Sequence, residues 1–240
     1  MKAIVLAAGK GVRMKSDLPK VLHPLCGKPL ILYVIESLRN SGINDIITVV
    51  GYKGKMVIET LGNSVEYVWQ HDQLGTGHAV MQVESSLNDY HGPIVLACGD
   101  VPLIKPSTFK RLQEEFQKDG IMATVLTMIM DNPRGYGRII TDERGNVNKI
   151  IEERDANLEE KRIKEVNSGT YAFDKDLLFA GLKTINTDNA QGEYYLPDVF
   201  DYIKSSGYSI GRILLNDFME GSGINSQEEL SSLGNYLKMA

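Results

Sequence analysis

KAIVLAAGKGVRMKSDLPK, residues Lys2 to Lys20, decides the fold. Lys2–Leu6 is an aliphatic, β-branched run with the length of a buried strand, and it passes directly into a glycine loop. The small residues Ala7, Ala8, Gly9 and Gly11 let successive backbone amides approach an anion closely. Arg13 and Lys20 then add charged donors suited to phosphate oxygens. A tight strand-to-helix turn explains the glycines but not this pair of cations. The P-loop pattern is excluded, because neither Gly9-Lys10-Gly11 nor Gly27-Lys28-Pro29 leads into Ser or Thr. The dinucleotide fingerprint is excluded too, since Met14 stands where a third glycine is needed.

Working outward, Ile46–Val50, Val65–Trp69 and Ile94–Ala97 read as further buried strands. Between them, Pro29–Asn40 carries Leu30, Val34, Ile35 and Leu38 on one helical face, and Lys53–Leu61 and Thr76–Leu87 repeat that pattern. Strands alternating with helices predict an α/β fold: a Rossmann-like mixed, mostly parallel sheet flanked by helices. In such a sheet ligands sit beyond the carboxyl ends of the strands. After residue 120, Met122–Met130, Gly137–Thr141, Val147–Glu152 and Val166–Phe173 are strand-like and predict added antiparallel strands, around one charged stretch at Asp155–Lys164. Leu196–Lys204 and Gln227–Leu237 read as helices. With no linker, repeat or low-complexity tract, 1–240 is expected to form one domain. Its parts are a nucleotide-binding half (1–120), a sugar-binding half (121–225) and a C-terminal helix (226–240).

The 240 residues are 42% hydrophobic and 24% charged, the mixture of a globular protein. No segment reaches the ~20 apolar residues that cross a bilayer, and Ile4–Ala8 is too short for a signal-peptide core. Cys26 and Cys98 are the two cysteines, which excludes a disulfide framework or a four-thiolate metal site. A cytoplasmic location is the expectation. The net charge of −5 is uneven, with +5 on residues 1–30 and −10 on the remainder. A basic opening on an acidic chain fits a small anion better than nucleic acid or a membrane surface, although charge alone fits a solvated basic loop equally well.

Six further stretches fall in order along the chain. SDLPKVLH extends the opening, followed by QLGTGHA (Gln73–Ala79), GDVPLI (Gly99–Ile104), GYGRI (Gly135–Ile139), EVNSG (Glu165–Gly169) and NAQGEYYLPD (Asn189–Asp198). With the opening L-x-x-G-x-G-x-R-M and its P-K, they resemble the sugar-1-phosphate nucleotidyltransferases. The resemblance is narrower to the uridyltransferase (pyrophosphorylase) domain of the bifunctional bacterial enzymes that make UDP-N-acetylglucosamine, a cell-wall precursor. It implies the nucleotide-diphospho-sugar transferase fold and a Mg²⁺-dependent transfer of UMP from UTP to N-acetylglucosamine 1-phosphate. A phosphate monoester, with its second pKa near ~6, is already a nucleophile at neutral pH. Such a reaction therefore needs positioning and charge neutralisation rather than a serine, cysteine or histidine nucleophile. His23, His71, His78 and His91 lack metal-ligand spacing and receive no chemical role.

By the resemblance, Arg13 and Lys20 are catalytic, and Asp100 with Asn225 holds Mg²⁺, although EGSG before Asn225's own GIN departs from the family wording. Asp100 read alone could instead cap a turn before Pro102. Leu6, Ala7, Ala8, Gly9, Gly11, Gln70, Gln73, Gly75 and Thr76 are implied to bind the nucleotide. Gln70 could equally be a surface amide, and Gln73 is the preferred of the two. Gly137, Glu152, Asn167 and Thr170 are implied to bind the sugar. Glu152 has Glu153 beside it, and strand alternation sends only one of them inward. Cys98, at a strand end, reads as a small core residue with contact to the cavity as the alternative, and Tyr194 and Tyr195 as core aromatics or cavity walls. No hexapeptide periodicity of a left-handed β-helix appears, so that family's acetyltransferase domain is not expected in this chain, and a homo-oligomer stays open. A nucleotidyltransferase for another sugar 1-phosphate and a non-catalytic nucleotide-binding module are the alternatives.

Overall fold

In the computed structural model, which describes residues 1–143 and 145–239, the opening run forms β1 (Lys2–Ala7). Its side chains alternate between two apolar layers, Ile4 entering one and Ala3 and Val5 the other. A small hairpin, β2 (Pro24–Leu25) and β3 (Lys28–Pro29), precedes α1 (Leu30–Asn40). Then follow β4 (Ile46–Val50), α2 (Gly54–Leu61), β5 (Glu66–Trp69), α3 (Thr76–Met81) and β6 (Pro93–Cys98). The second half contributes α4 (Pro106–Phe116), β7 (Ile121–Ile129), β8 (Arg138–Thr141), β9 (Val147–Ile151) and β10 (Glu165–Asp174). It closes with α5 (Lys175–Leu182), α6 (Val199–Ser205), β11 (Ser209–Leu214), α7 (Phe218–Gly221) and α8 (Gln227–Met239).

The sheet runs β11-β7-β10-β6-β1-β4-β5. β6, β1, β4 and β5 are mutually parallel, and β11 is parallel to β7. β10 is antiparallel to both β6 and β7, and β8–β9 hang from it as an antiparallel extension. Helices α3, α5 and α6 cover one face through Val80, Leu178 and Phe200. The other face is covered by α1, α2 and α4 through Ile35, Val57 and Phe109. A smaller cluster, Met14, Leu25, Leu30, Ile224 and Leu233, fastens α8 against the hairpin and the glycine loop.

Two expectations are corrected. Thr76–Leu87 is not one helix: from Val83 the bonds tighten to i→i+3, Val83 N to Val80 O and Ser86 N to Val83 O at 3.0 Å each. That tightening keeps Val83 and Leu87 in the same apolar layer. Val65–Trp69 is not a buried strand: β5 is the edge of the sheet, with Glu66 exposed and Tyr67, Val68 and Trp69 half-buried. The added antiparallel strands are present as expected, and β11 joins them at the opposite edge, parallel to β7. The sequence reading also lacks α4, α5, β11, the β2–β3 hairpin and α7. No helix of the described residues is long and apolar enough to cross a membrane.

Candidate active site

The parallel strands β1, β4, β5 and β6 all finish on one edge of the sheet, and a cleft opens there in two parts. One cavity, about 370 Å³, is walled by the end of β1 and the glycine loop (Leu6 to Lys10). Gln70, Gln73, Gly75 and Thr76 face them, and Lys20, Asp100 and Glu193 complete the wall. The second, about 280 Å³, lies toward β8–β10 and is lined by Arg13, Tyr136, Gly137, Glu152, Asn167 and Asn225. Leu6, Thr76, Cys98 and Asp100 border both. Two sequence-predicted residues lie outside. Gly11 has a left-handed φ of +60° and sits so close to Lys20 that a Cβ would fall 2.7 Å from the Lys20 Cβ, so its role is to let the loop fold back. Thr170 is fully buried on the far side of β10, its hydroxyl unpartnered.

Three residues far apart in sequence meet where the cavities join. The Lys20 ammonium pairs with Asp100 Oδ2 and donates to Asn225 Oδ1 at 2.9 Å. Asp100 stands just past the end of β6, Lys20 opens the turn Lys20–Leu22, and Asn225 is brought in by Ile224 N donating to Asp100 O at 2.9 Å. The Asp100 carboxylate is thus turned into the cleft instead of capping α4, whose first turn carries no cap from it. Two hard oxygen donors converging on one cation are a donor set that suits Mg²⁺. Among the described residues no group of three or more His, Cys, Asp or Glu is arranged to hold a metal. The rest of a shell would therefore fall to phosphates and water.

The wall toward β10 depends on an irregularity. Asn167 opposes Thr127 and Tyr171 opposes Val125, so β10 carries two extra residues between them. Gly169, at φ +77°, makes the bend, and a Cβ there would meet the Cys98 sulfur at 3.2 Å. The bulge puts Asn167, Ser168, Gly169 and Tyr171 on the cavity and leaves Thr170 behind. The Asn167 amide donates to the Tyr171 hydroxyl at 2.6 Å and its oxygen accepts from Gly169 N at 2.9 Å, which stiffens the bulge. Of the adjacent glutamates, Glu152 faces the cavity while Glu153 accepts from the Arg138 guanidinium at 2.6 Å.

Electrostatics differ across the cleft. Burial, reinforced by Asp198, Asp155 and Glu193, lifts the Glu152 carboxyl to about 7, with Arg138 pulling the other way. Burial, with Asp201 and Asp155, lifts Asp198 to about 6. Desolvation, and then Asp100, pushes the Cys98 thiol up to about 12, so it stays neutral. Gln70 is not a surface amide: it is 3% exposed and donates to Gly75 O and toward His78 Nδ1, both at 3.1 Å. Gln73 donates to Gln70 O at 3.2 Å and His71 O at 3.1 Å. The donors of both amides thus shape the loop, leaving their acceptor oxygens as the groups free to meet a base.

Sequence reasoning gave no cavity role to Tyr136, Tyr171 or Glu193, although the quoted blocks GYGRI and NAQGEYYLPD contain the first and last. Cys98, expected in the core, borders both cavities. Tyr195 is buried, its hydroxyl donating to Asp155 Oδ2 at 3.0 Å, and lines neither cavity. Tyr194 stacks on His78 at 6.2 Å between ring centres.

Residues 2–219 match the family model described as nucleotidyl transferase. The chain is 45% identical over 236 residues to the bifunctional protein GlmU of Oceanobacillus iheyensis, covering 98% of this chain and 52% of that protein. It is 48% identical over 229 residues to the bifunctional protein GlmU of Bacillus cereus strain G9842, covering 95% and 50%. The chain thus spans about half the length of the curated relatives it matches. Among solved structures, one described as a glucose-1-phosphate thymidylyltransferase of Bacillus anthracis superimposes with a TM-score of 0.80 at 21% identity, over 100% of this chain and 96% of that one. A UDP-glucose pyrophosphorylase complexed with UDP-glucose gives 0.78 at 22% identity, over 100% and 99%. These two likenesses establish the shared fold.

Proposed function

The chain belongs to the nucleotidyl transferase family, and from that premise we propose that it transfers UMP from UTP to N-acetylglucosamine 1-phosphate. The products are UDP-N-acetylglucosamine and pyrophosphate, and Mg²⁺ is the cofactor. The observation that carries the proposal is the junction of two cavities at Lys20, Asp100 and Asn225. A nucleotidyl transfer needs two anionic substrates to meet at one phosphorus, and the Lys20–Asp100 ion pair stands where the two cavities join. The level of identity to the GlmU proteins favours uridine and N-acetylglucosamine over other bases and sugars. In this reading the reaction supplies cell-wall precursors in the cytoplasm.

In this reading the larger cavity takes UTP. Amides of Ala7, Ala8 and Gly9 face its phosphates, and Gln70, Gln73, Gly75 and Thr76 read the base. The sugar 1-phosphate occupies the smaller cavity, where Gly137, Glu152 and Asn167 meet its hydroxyls and acetamido group. A sugar-phosphate oxygen attacks the α-phosphorus and the pyrophosphate leaves. Lys20 and Arg13, reaching the cleft from two points of the glycine loop, neutralise oxygens of the crowded phosphates as charge shifts to the leaving group. Asp100 and Asn225 would hold Mg²⁺, which supplies further neutralisation of phosphate charge when bound. Leu6 and Cys98 border both cavities and give the meeting point of the two substrates an apolar side.

The test is pyrophosphate release with Mg²⁺ across a panel of nucleoside triphosphates and sugar 1-phosphates. Release confined to UTP with N-acetylglucosamine 1-phosphate is expected. Asp100→Asn is expected to lower turnover by about a hundredfold or more with folding intact, and Lys20→Ala to act in the same direction. A different productive pair would reassign the specificity, and folded protein inert with every pair would overturn the enzyme reading.

A further inference from the structure

We propose that the buried Arg138–Glu153 ion pair is the positioning device of the smaller cavity, fixing the separation of Gly137 and Glu152 across it. The inference deepens the functional reading above and rests on it. Arg138 is 1% exposed and heads the largest fully buried side chains of the molecule. Burying a guanidinium costs several kcal/mol unless it is paired, and a packed apolar side chain would serve stability as well. The pairing found here is directional. Nη2 donates to Glu153 Oε2 at 2.6 Å and to Lys161 O at 3.5 Å, while Nη1 donates to Tyr136 O. One planar fork therefore ties the start of β8, the segment just after β9 and the turn at Glu160–Arg162.

Two of the three groups so tied belong to the cavity wall: Tyr136 lines the smaller cavity and Glu153 adjoins Glu152, while Lys161 O anchors the fork from outside it. Arg138 follows Gly137 and Glu153 follows Glu152, and neither member of the pair lines a cavity. Arg138 pairs with Ile151 across β8–β9 and with Val166 across β8–β10, and Gly137 O accepts from Asn167 N at 2.9 Å. The clearance it sets is small: a Cβ on Gly137 would lie 3.3 Å from Glu152 Oε1. A shift of a few tenths of an ångström at Arg138 thus changes the opening that a sugar ring must enter. The larger cavity, bounded by the glycine loop and Gln70 to Thr76, shares no wall with this pair. Arg138 is a positioning residue for one substrate only.

The experiment is steady-state kinetics of wild type, Arg138→Lys, Glu153→Gln and the double variant, with thermal midpoints measured alongside. Arg138→Lys keeps the charge and loses the fork. It is expected to raise KM for N-acetylglucosamine 1-phosphate about tenfold while KM for UTP stays within about twofold. Glu153→Gln keeps one hydrogen bond and is expected to move the same constant about threefold. The double variant is expected to be no worse than Arg138→Lys alone. A lowered midpoint with both KM values unchanged, or equal changes in both, would overturn the inference while leaving the function standing. If Arg138→Lys does not fold, Glu153→Gln decides, since Glu153 is 27% exposed, and an unchanged sugar-phosphate KM there overturns the inference. A wild type that turns over no sugar 1-phosphate removes both.

Discussion

Burial sets the Glu152 carboxyl against ionisation, and Asp198, Asp155 and Glu193 add to it, so the group titrates near 7 where a free glutamate titrates near 4.5. The folded chain therefore holds a proton that the unfolded chain releases between those values. The sign follows from the proton balance: the stabilisation is fully present below about pH 4.5 and is lost as pH rises through about 7. Asp198, raised to about 6, acts in the same direction over the lower part of that window. Glu152→Gln is neutral throughout and is expected to flatten the dependence. At pH 8 it should be more stable than wild type by on the order of 2 kcal/mol, and at pH 4.5 nearly equal. Thermal melts at the two pH values check this, and the same difference at both would remove the titration from the account. At this scale alternation says that only one of Glu152 and Glu153 faces inward, and the family resemblance alone says which. The burial of Gln70 was not legible, since its anchor at His78 lies in the next element.

Elements that the sequence concealed turn out to hold the cleft together. Glu220, in α7, is buried and serves as a long-range cap for α4: its Oε1 accepts from Lys105 N at 3.1 Å and from the Thr108 hydroxyl. The same segment continues to Ile224 and Asn225, so the capped helix and the Asp100 loop that precedes it are fastened to one strap at both ends. Glu220→Ala leaves the backbone donor and the hydroxyl without their acceptor. It is expected to cost about 2 kcal/mol of folding stability in a denaturant titration, and a loss below about 0.5 kcal/mol would mean that water replaces the cap. α4 escapes a sequence reading because Pro102 and Pro106 punctuate its approach, although Phe109, Leu112 and Phe116 keep helical spacing. The β10 bulge escapes for a different reason. Period-two alternation through EVNSGT puts Asn167 and Thr170 on opposite faces, as found, but two extra residues leave that parity unchanged and so give no sign of themselves beyond Gly169.

For the whole molecule, the strands of the parallel half were readable almost to the residue: β1, β4 and β6 are short apolar runs buried between two layers of helices, and β5, at the sheet edge, keeps enough apolar residues to show. The second half was readable as strands but not as an arrangement. Nothing local in β11 says that it pairs with β7, where Ser209 meets Ile121 and Leu214 meets Thr127, and edge strands carry a weaker apolar signal. Lys20, Asp100 and Asn225 were each legible by motif, whereas their convergence, with Lys20 and Asn225 205 positions apart, comes only from the folded chain. That convergence has a thermodynamic corollary. On the proposed reading, in which Asp100 and Asn225 hold Mg²⁺, the Lys20 ammonium seated between their oxygens competes with a free divalent ion for them. That reading has the cation arrive together with a triphosphate, whose oxygens give the lysine somewhere else to go. Lys20→Met is expected to tighten Mn²⁺ binding to the nucleotide-free protein about tenfold even as it lowers turnover. Paramagnetic titration reads the difference, and unaltered affinity would mean that the ammonium yields its place at no cost.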